Sequence, residues 1–180
     1  MDLADKKTTI QIKTIEEKDL LPLWQISHGP TADFQWHQWN GPYFKDPRLN
    51  WAAFQKLRGP KICQQPLHGG IWYQERLIGE VNAYFEDGNL ARWLEFGIVI
   101  YDCNLWHAGI GTAAGRLWLH YLFDQYPDLP HIGFTTWSGN ERMMKLGEKL
   151  GMQKEAQIRQ VRYWQGQYYD SVKYGVLRGS

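Results

Sequence analysis

Seven consecutive residues, Trp106-His107-Ala108-Gly109-Ile110-Gly111-Thr112, have the make-up of an anion cradle. Two glycines let the main chain approach a ligand closely. Apolar residues at helical spacing follow, so the turn opens a helix, whose first-turn amides offer unpaired donors and a partial positive charge. Pyrophosphate is the group such a turn suits. Gly109 to Ala114 also satisfies the dinucleotide pattern G-x-G-x-x-[GA], but the surroundings do not. Tyr101 to Leu105 separate the turn from the preceding apolar run, and the next strand ends in Thr136-Trp137 rather than in an acid. A P-loop would need a lysine after the glycines, and none is present. Cys103 lies beside the turn with no adjacent base, which favours a small packed thiol over a nucleophile.

The elements that must hold this turn are read from periodicity. Thr8 to Thr14 alternates as a strand and Glu16 to Ser27 follows as an amphipathic helix ending at His28-Gly29-Pro30. Thr31 to Gly59 mixes aromatics, prolines and amides, with a helix only at about Leu49 to Leu57. Strands are predicted at Gly70 to Gln74, Leu77 to Glu86 and Leu90 to Ile100, an antiparallel meander. A helix over Gly109 to Gln125 leads to a strand at His131 to Thr136 that can return parallel to the one before it. Ser138-Gly139-Asn140-Glu141 reads as a capping-box start for a short helix stopped by Gly151. A hairpin, Glu155 to Trp164 and Gln167 to Leu177, turns at Gln165-Gly166. The expectation is an α+β domain: a mixed, mostly antiparallel, twisted sheet of about seven strands flanked by helices.

With 180 residues, 43% of them hydrophobic, one core and a single domain over residues 1–180 are expected. Ten Trp, ten Tyr and seven Phe accompany a net charge of only +1, which argues against nucleic acid or a membrane surface as partner. No apolar run reaches spanning length, and no signal-peptide core follows Met1 to Lys7. Cys63 and Cys103 have no C-x-x-C spacing and suit a reducing compartment, so a cytoplasmic protein with free thiols is expected. The six histidines lack ligand spacing, and no metal is expected.

Residues 90–152 resemble the GNAT superfamily of acyl-CoA N-acetyltransferases, whose turn is [QR]-x-x-G-x-[GA]. Trp106 departs from the first position in the manner of the RimJ/RimL-like branch. Glu95-Phe96-Gly97-Ile98-Val99-Ile100 is similar to that branch's Glu-x-Gly-Tyr-x-Ile strand, and Asn140 with Glu148-Lys149-Leu150-Gly151-Met152 to its Asn…Glu-Lys-x-Gly-Phe segment. Tyr168 to Leu177 fits its last strand.

The resemblance implies acetyl-CoA as donor and a primary amine as acceptor, either a small molecule or a protein N-terminus, attacking directly in a ternary complex. Main-chain groups of Ile98, Val99 and Ile100 would pair with pantetheine, one amide there stabilising the oxyanion, and Trp106 to Thr112 would hold the pyrophosphate. Asn140 would bond the pantetheine arm. Lys145 would approach the CoA phosphates, its other reading being an i,i+4 pair with Glu141. Glu95 is the candidate general base, since an amine of pKa about 10 must lose a proton before attack; a structural carboxylate is the alternative. The branch's usual acids, a Ser and a Tyr, are replaced by Met143 and Gly147, leaving Tyr174, Tyr101 or water. Trp36, Trp39 and Tyr43 fall where the fold places the acceptor side and would line the amine pocket, or else form a second small core. A CoA-binding sensor without turnover is the rival function. Open edges of the final hairpin suit a homodimer.

Overall fold

In the computed structural model, residues 1–5 and 7–180 are described. The strands are β1 (Asp2–Asp5), β2 (Ile10–Lys13), β3 (His68–Tyr73), β4 (Arg76–Phe85), β5 (Leu94–Ile100), β6 (His131–Trp137), β7 (Gln153–Trp164) and β8 (Gln167–Leu177). The helices are α1 (Leu20–Ser27), α2 (Trp51–Leu57), α3 (Gly59–Ile62), α4 (Ile110–Gln125) and α5 (Glu141–Lys149). Strand order is β1-β2-β3-β4-β5-β6-β8-β7. Among the described residues the expected mixed α+β sheet is present with eight strands rather than about seven. The extra one, β1, has only Leu3 as a large apolar residue between acids, and it exists through its antiparallel ladder with β2, Asp2 opposite Lys13 and Leu3 opposite Ile12.

The chain divides into two compact units. The first (1–36, 47–82 and 98–118) contains β1, β2, β3, the part of β4 up to Asn82, and α1 to α3. Its apolar centre is Ile15, Leu20, Leu23, Trp36, Phe54, Ile62 and Tyr101. The second (37–46, 83–97 and 119–180) contains β6, α5 and the β7–β8 hairpin, which turns on Gln165 (φ 48°) and Gly166 (φ 80°) as its two-residue loop requires. Here Phe134 and Tyr174 stack with ring centres 5.2 Å apart and α5 lies directly over them. A Cβ at Gly147 would come within 2.8 Å of the Phe134 ring and 3.0 Å of Tyr174, so any larger residue here must displace the stacked rings.

Several boundaries differ from periodicity, each for a local reason. The predicted helix Glu16 to Ser27 is divided: Glu17–Asp19 is a 3-10 turn, with Glu16 and Asp19 satisfying one another's amides in a capping box, before α1 begins. The strand expected from Leu90 starts only at Leu94, because Gly88–Leu90 form a 3-10 turn, Ala91 is left-handed (φ 51°) and the Arg92 amide is held by the Asp87 carboxylate. Asn140, not Ser138, caps α5; the Ser138 hydroxyl accepts instead from the Asp170 amide. The Thr31 to Gly59 stretch also holds 3-10 turns at Phe34–Gln38 and Pro42–Phe44. Among the described residues, no helix is long and apolar enough to cross a membrane.

Candidate active site

In the first unit, the predicted cradle is a tight turn between a 3-10 segment (Cys103–Leu105) and α4. His107 (φ 69°) and Gly109 (φ 78°) both adopt left-handed backbone, and His107, Ala108 and Gly109 are exposed. The first helical bond is Ala113 N–H to the Gly109 carbonyl, 3.0 Å, so the Ile110, Gly111 and Thr112 amides have no helical acceptor. Nothing lies within 4 Å of a Cβ built on Gly109, which leaves room for a ligand against the main chain. This donor set fits a pyrophosphate. Trp106 does a different job from the other turn residues: its indole N–H donates to the Ile100 carbonyl at 2.9 Å and pins the turn to the end of β5.

That bond refines the expected role of Ile98, Val99 and Ile100. Gly79 of β4 lies against the Val99 carbonyl, and the Tyr101 amide donates to Ile78 at 3.0 Å. Strand residues direct their main-chain groups to alternate edges. Val99 therefore serves β4, while Ile98 and Ile100 face the opposite edge, where Trp106 already uses the Ile100 carbonyl. The end of β5 is anchored by a second device that the sequence did not reveal. The Tyr101 hydroxyl donates to the Glu80 carboxylate, which also binds Arg58 (2.9 and 3.3 Å) and His68 (2.9 Å) and is 5% exposed. Burial pushes Glu80 up, but the Arg58 guanidinium, helped by His68 and Tyr101, outweighs it and holds the carboxyl at about 2. Burial and Glu80 raise the Tyr101 phenol far above its usual range, so this candidate acid is committed to a structural hydrogen bond.

In the second unit, Glu95 is 1% exposed and fully engaged. Lys173 Nζ donates to one oxygen at 2.9 Å; Thr135 (2.7 Å) and Tyr84 (3.2 Å) donate to the other. Lys173 also donates to the Thr135 hydroxyl at 2.7 Å. Burial and the Glu95 charge push the Tyr84 phenol up, so it remains a donor. The parallel ladder of β5 with β6 covers only Leu94 with Ile132 and Glu95 with Gly133. The partners Thr135 and Lys173 stand opposite one another in the β6–β8 register, 40 and 78 residues from Glu95, which is why no local signal announces them.

The remaining predicted residues separate. Asn140 spends both polar atoms locally: its oxygen accepts from Met143 N–H (3.1 Å) and its amide donates to the Trp39 carbonyl (3.0 Å), which also receives the Trp137 indole at 3.0 Å. Lys145 is exposed and 3.9 Å from Glu141, an i,i+4 pair. Trp36 is a core residue of the first unit, 8% exposed, with its indole on the Ser27 carbonyl, whereas Trp39 and Tyr43 are half-buried in the second. Tyr43 meets Trp137 edge-on at 5.7 Å. Tyr174, 3% exposed, packs on Phe134 beneath α5, with its hydroxyl 3.4 Å from Glu148; burial and Glu148 raise its phenol. The Cys103 thiol hydrogen-bonds Asp33, which raises it, so thiolate attack is disfavoured. Asp33, Asp102 and Cys103 lie close enough to share an ion, but the carboxylates already accept the Cys103 and Asn104 amides.

The model of the GNAT acetyltransferase domain matches residues 10–153. This chain belongs to the GNAT acetyltransferase family. A curated relative is the SPbeta prophage-derived uncharacterized N-acetyltransferase YokL of Bacillus subtilis (strain 168), 38% identical over 47 residues; the match spans 26% of this chain and 27% of that protein. Among solved GNAT structures, an acetyltransferase from Bacillus anthracis is similar with TM-score 0.75 at 18% identity, over 98% of both chains. Spermidine N-acetyltransferase from Vibrio cholerae, in complex with CoA and spermine, is similar with TM-score 0.73 at 19% identity, covering 93% of this chain and 95% of that one. At these identities the structures establish the GNAT fold.

Proposed function

We propose that this chain is an N-acetyltransferase that moves the acetyl group of acetyl-CoA onto a primary amine, a small molecule or a protein N-terminus, by direct attack with both substrates held together. The observation that carries the proposal is the sequence of features along β5: a buried carboxylate at Glu95, a ladder to β6 that ends there, and a tryptophan-pinned glycine turn opening α4. Solved structures of this fold hold CoA, and the family match runs across both compact units, which we take to act as one domain. Trp106 and the Glu95 to Ile100 strand support placement in the RimJ/RimL-like branch. A cytoplasmic location agrees with two free thiols.

Acetyl-CoA supplies an activated acyl group, and the protein supplies position, proton traffic and donors. The pyrophosphate is assigned to the amides of His107 to Thr112. Pantetheine is assigned to the open edge of β5, where Ile98 offers an amide and a carbonyl and Ile100 an amide; one of these amides donates to the reacting carbonyl oxygen. Glu95 receives the amine proton. Because its oxygens are covered by Lys173, Thr135 and Tyr84, the partly exposed Thr135 hydroxyl, hydrogen-bonded to Glu95, is the natural relay. Asn140 acts by fixing the Trp39 turn and the start of α5. Incubation with acetyl-CoA and an amine and peptide panel, followed by thiol detection, tests the proposal: amine-dependent thiol release is expected. CoA binding without release for any amine would favour the sensor function instead.

A further inference from the structure

Two arginines lie on aromatic rings around the Trp39 to Phe44 turn of the second unit. The Arg142 guanidinium carbon is 4.5 Å from the Trp39 ring centre; that of Arg162 is 5.0 Å from Tyr43 and 5.4 Å from Phe44. The turn is tied down at Trp39, whose carbonyl takes both the Trp137 indole and the Asn140 amide. Arg162 comes from β7 opposite Tyr169, whose ring meets Trp137 at 4.8 Å. Its Nε is buried without a hydrogen-bond partner, and among the described residues no carboxylate pairs with it. Neighbouring acids are used elsewhere: Glu141 pairs with Lys145, and Asp170 accepts from Gln157 and from the Gln160 amide.

Stacking on rings orders a guanidinium plane and leaves its edge to an acceptor in that plane. A buried cationic donor with nothing to donate to is costly to keep unless a ligand completes it. An oxyanion is the group that matches a guanidinium edge. Thr135 and Trp137 share one face of β6, as Lys173 and Tyr169 share one face of β8. The Glu95–Lys173 pair and Arg162 therefore lie along one face of the second unit, four β8 residues or ~13 Å of strand apart.

We infer that the acceptor amine carries an oxyanion, a carboxylate or phosphate several bonds from the nitrogen, that docks on Arg162 with Arg142 adding to the field. This rests on the acetyltransferase proposal and extends it by naming the acceptor class. Polycationic amines are disfavoured by the same two charges.

The test compares matched acceptors: hexylamine, 6-aminohexanoate, an aminoalkyl phosphate and spermidine. In the native protein, kcat/KM for one of the anionic acceptors should exceed that for hexylamine by about tenfold or more, mostly through KM. Arg162→Gln should bring that ratio close to one, and Arg162→Lys should restore it only in part, with melting curves confirming that both variants fold. The carboxylate and phosphate arms show which oxyanion is used. Equal or better turnover of hexylamine or spermidine, or a ratio unchanged in Arg162→Gln, overturns the inference while leaving the transferase standing. If no acceptor releases thiol, the transferase proposal fails, and calorimetry with glutarate and with inorganic phosphate decides the anion site: no difference between the native protein and Arg162→Gln overturns it.

Discussion

Replacing Glu80 by glutamine keeps the side chain's shape and removes its charge from a closed cluster. One carboxylate oxygen binds Arg58 and His68, each at 2.9 Å, and the other takes the Tyr101 hydroxyl and a second Arg58 nitrogen. Although burial opposes ionisation, these partners, Arg58 foremost, hold the folded carboxyl at about 2 against an ordinary 4.5. At ~1.4 kcal/mol per pK unit, the gap corresponds to about 3 kcal/mol of stability at neutral pH. The folded carboxyl is the more acidic one, so the unfolded chain binds more protons between the two values. The contribution is therefore complete above about pH 4.5 and disappears as pH falls toward about 2. Glu80→Gln should lower unfolding free energy by about 3 kcal/mol near pH 7, with the deficit shrinking between about pH 5 and about pH 3. Urea unfolding followed by tryptophan fluorescence across that range measures it. A deficit of the same size at both ends would refute the electrostatic account and assign the loss to packing. Because Tyr101 directly follows Ile100, weaker acetyl-CoA binding should accompany the lost stability.

Three further outcomes follow from the geometry. Gly109→Asp forces a side chain onto left-handed backbone (φ 78°) and puts a negative charge in the cradle, so CoA affinity by calorimetry should fall by about a hundredfold or more; near-native affinity would dismiss the pyrophosphate assignment. Glu95→Gln should reduce kcat by about 10²–10⁴ with acetyl-CoA affinity retained, whereas unchanged kinetics would leave Glu95 purely structural. Cys103→Ala should retain turnover within about threefold and show no acetylated intermediate in the mass spectrum of the native protein, since the thiol is held protonated by Asp33; a trapped acetyl-cysteine would reverse this.

Much of the architecture is local in origin and was legible in the residues. The turn at Gln165-Gly166, the stop at Gly151, the helix opened by the glycine turn and the return of β6 parallel to β5 all follow from periodicity and from which residues accept left-handed backbone. The glycine turn that opens α4 was legible for the same reason, because its residues are consecutive. The aromatic segment before α2 was not, since its residues divide between two compact units: Trp36 enters the core of one, while Trp39 and Tyr43 pack in the other.

The sequence by itself determined features that consecutive residues make: the glycine turn that opens α4, the strand bearing Glu95, the stop at Gly151 and the hairpin turn at Gln165-Gly166. Tertiary structure alone decided what those residues meet. Lys173 and Thr135 reach Glu95 across 78 and 40 residues, Arg58 reaches Glu80 across 22, and Arg162 comes to rest on Tyr43 and Phe44 through the β7–β8 register. Each pairing depends on strand register and burial, which local sequence does not encode, and these pairings set the charge environment around Glu95, which the sequence had marked, and around Glu80 and Arg162, which it had not.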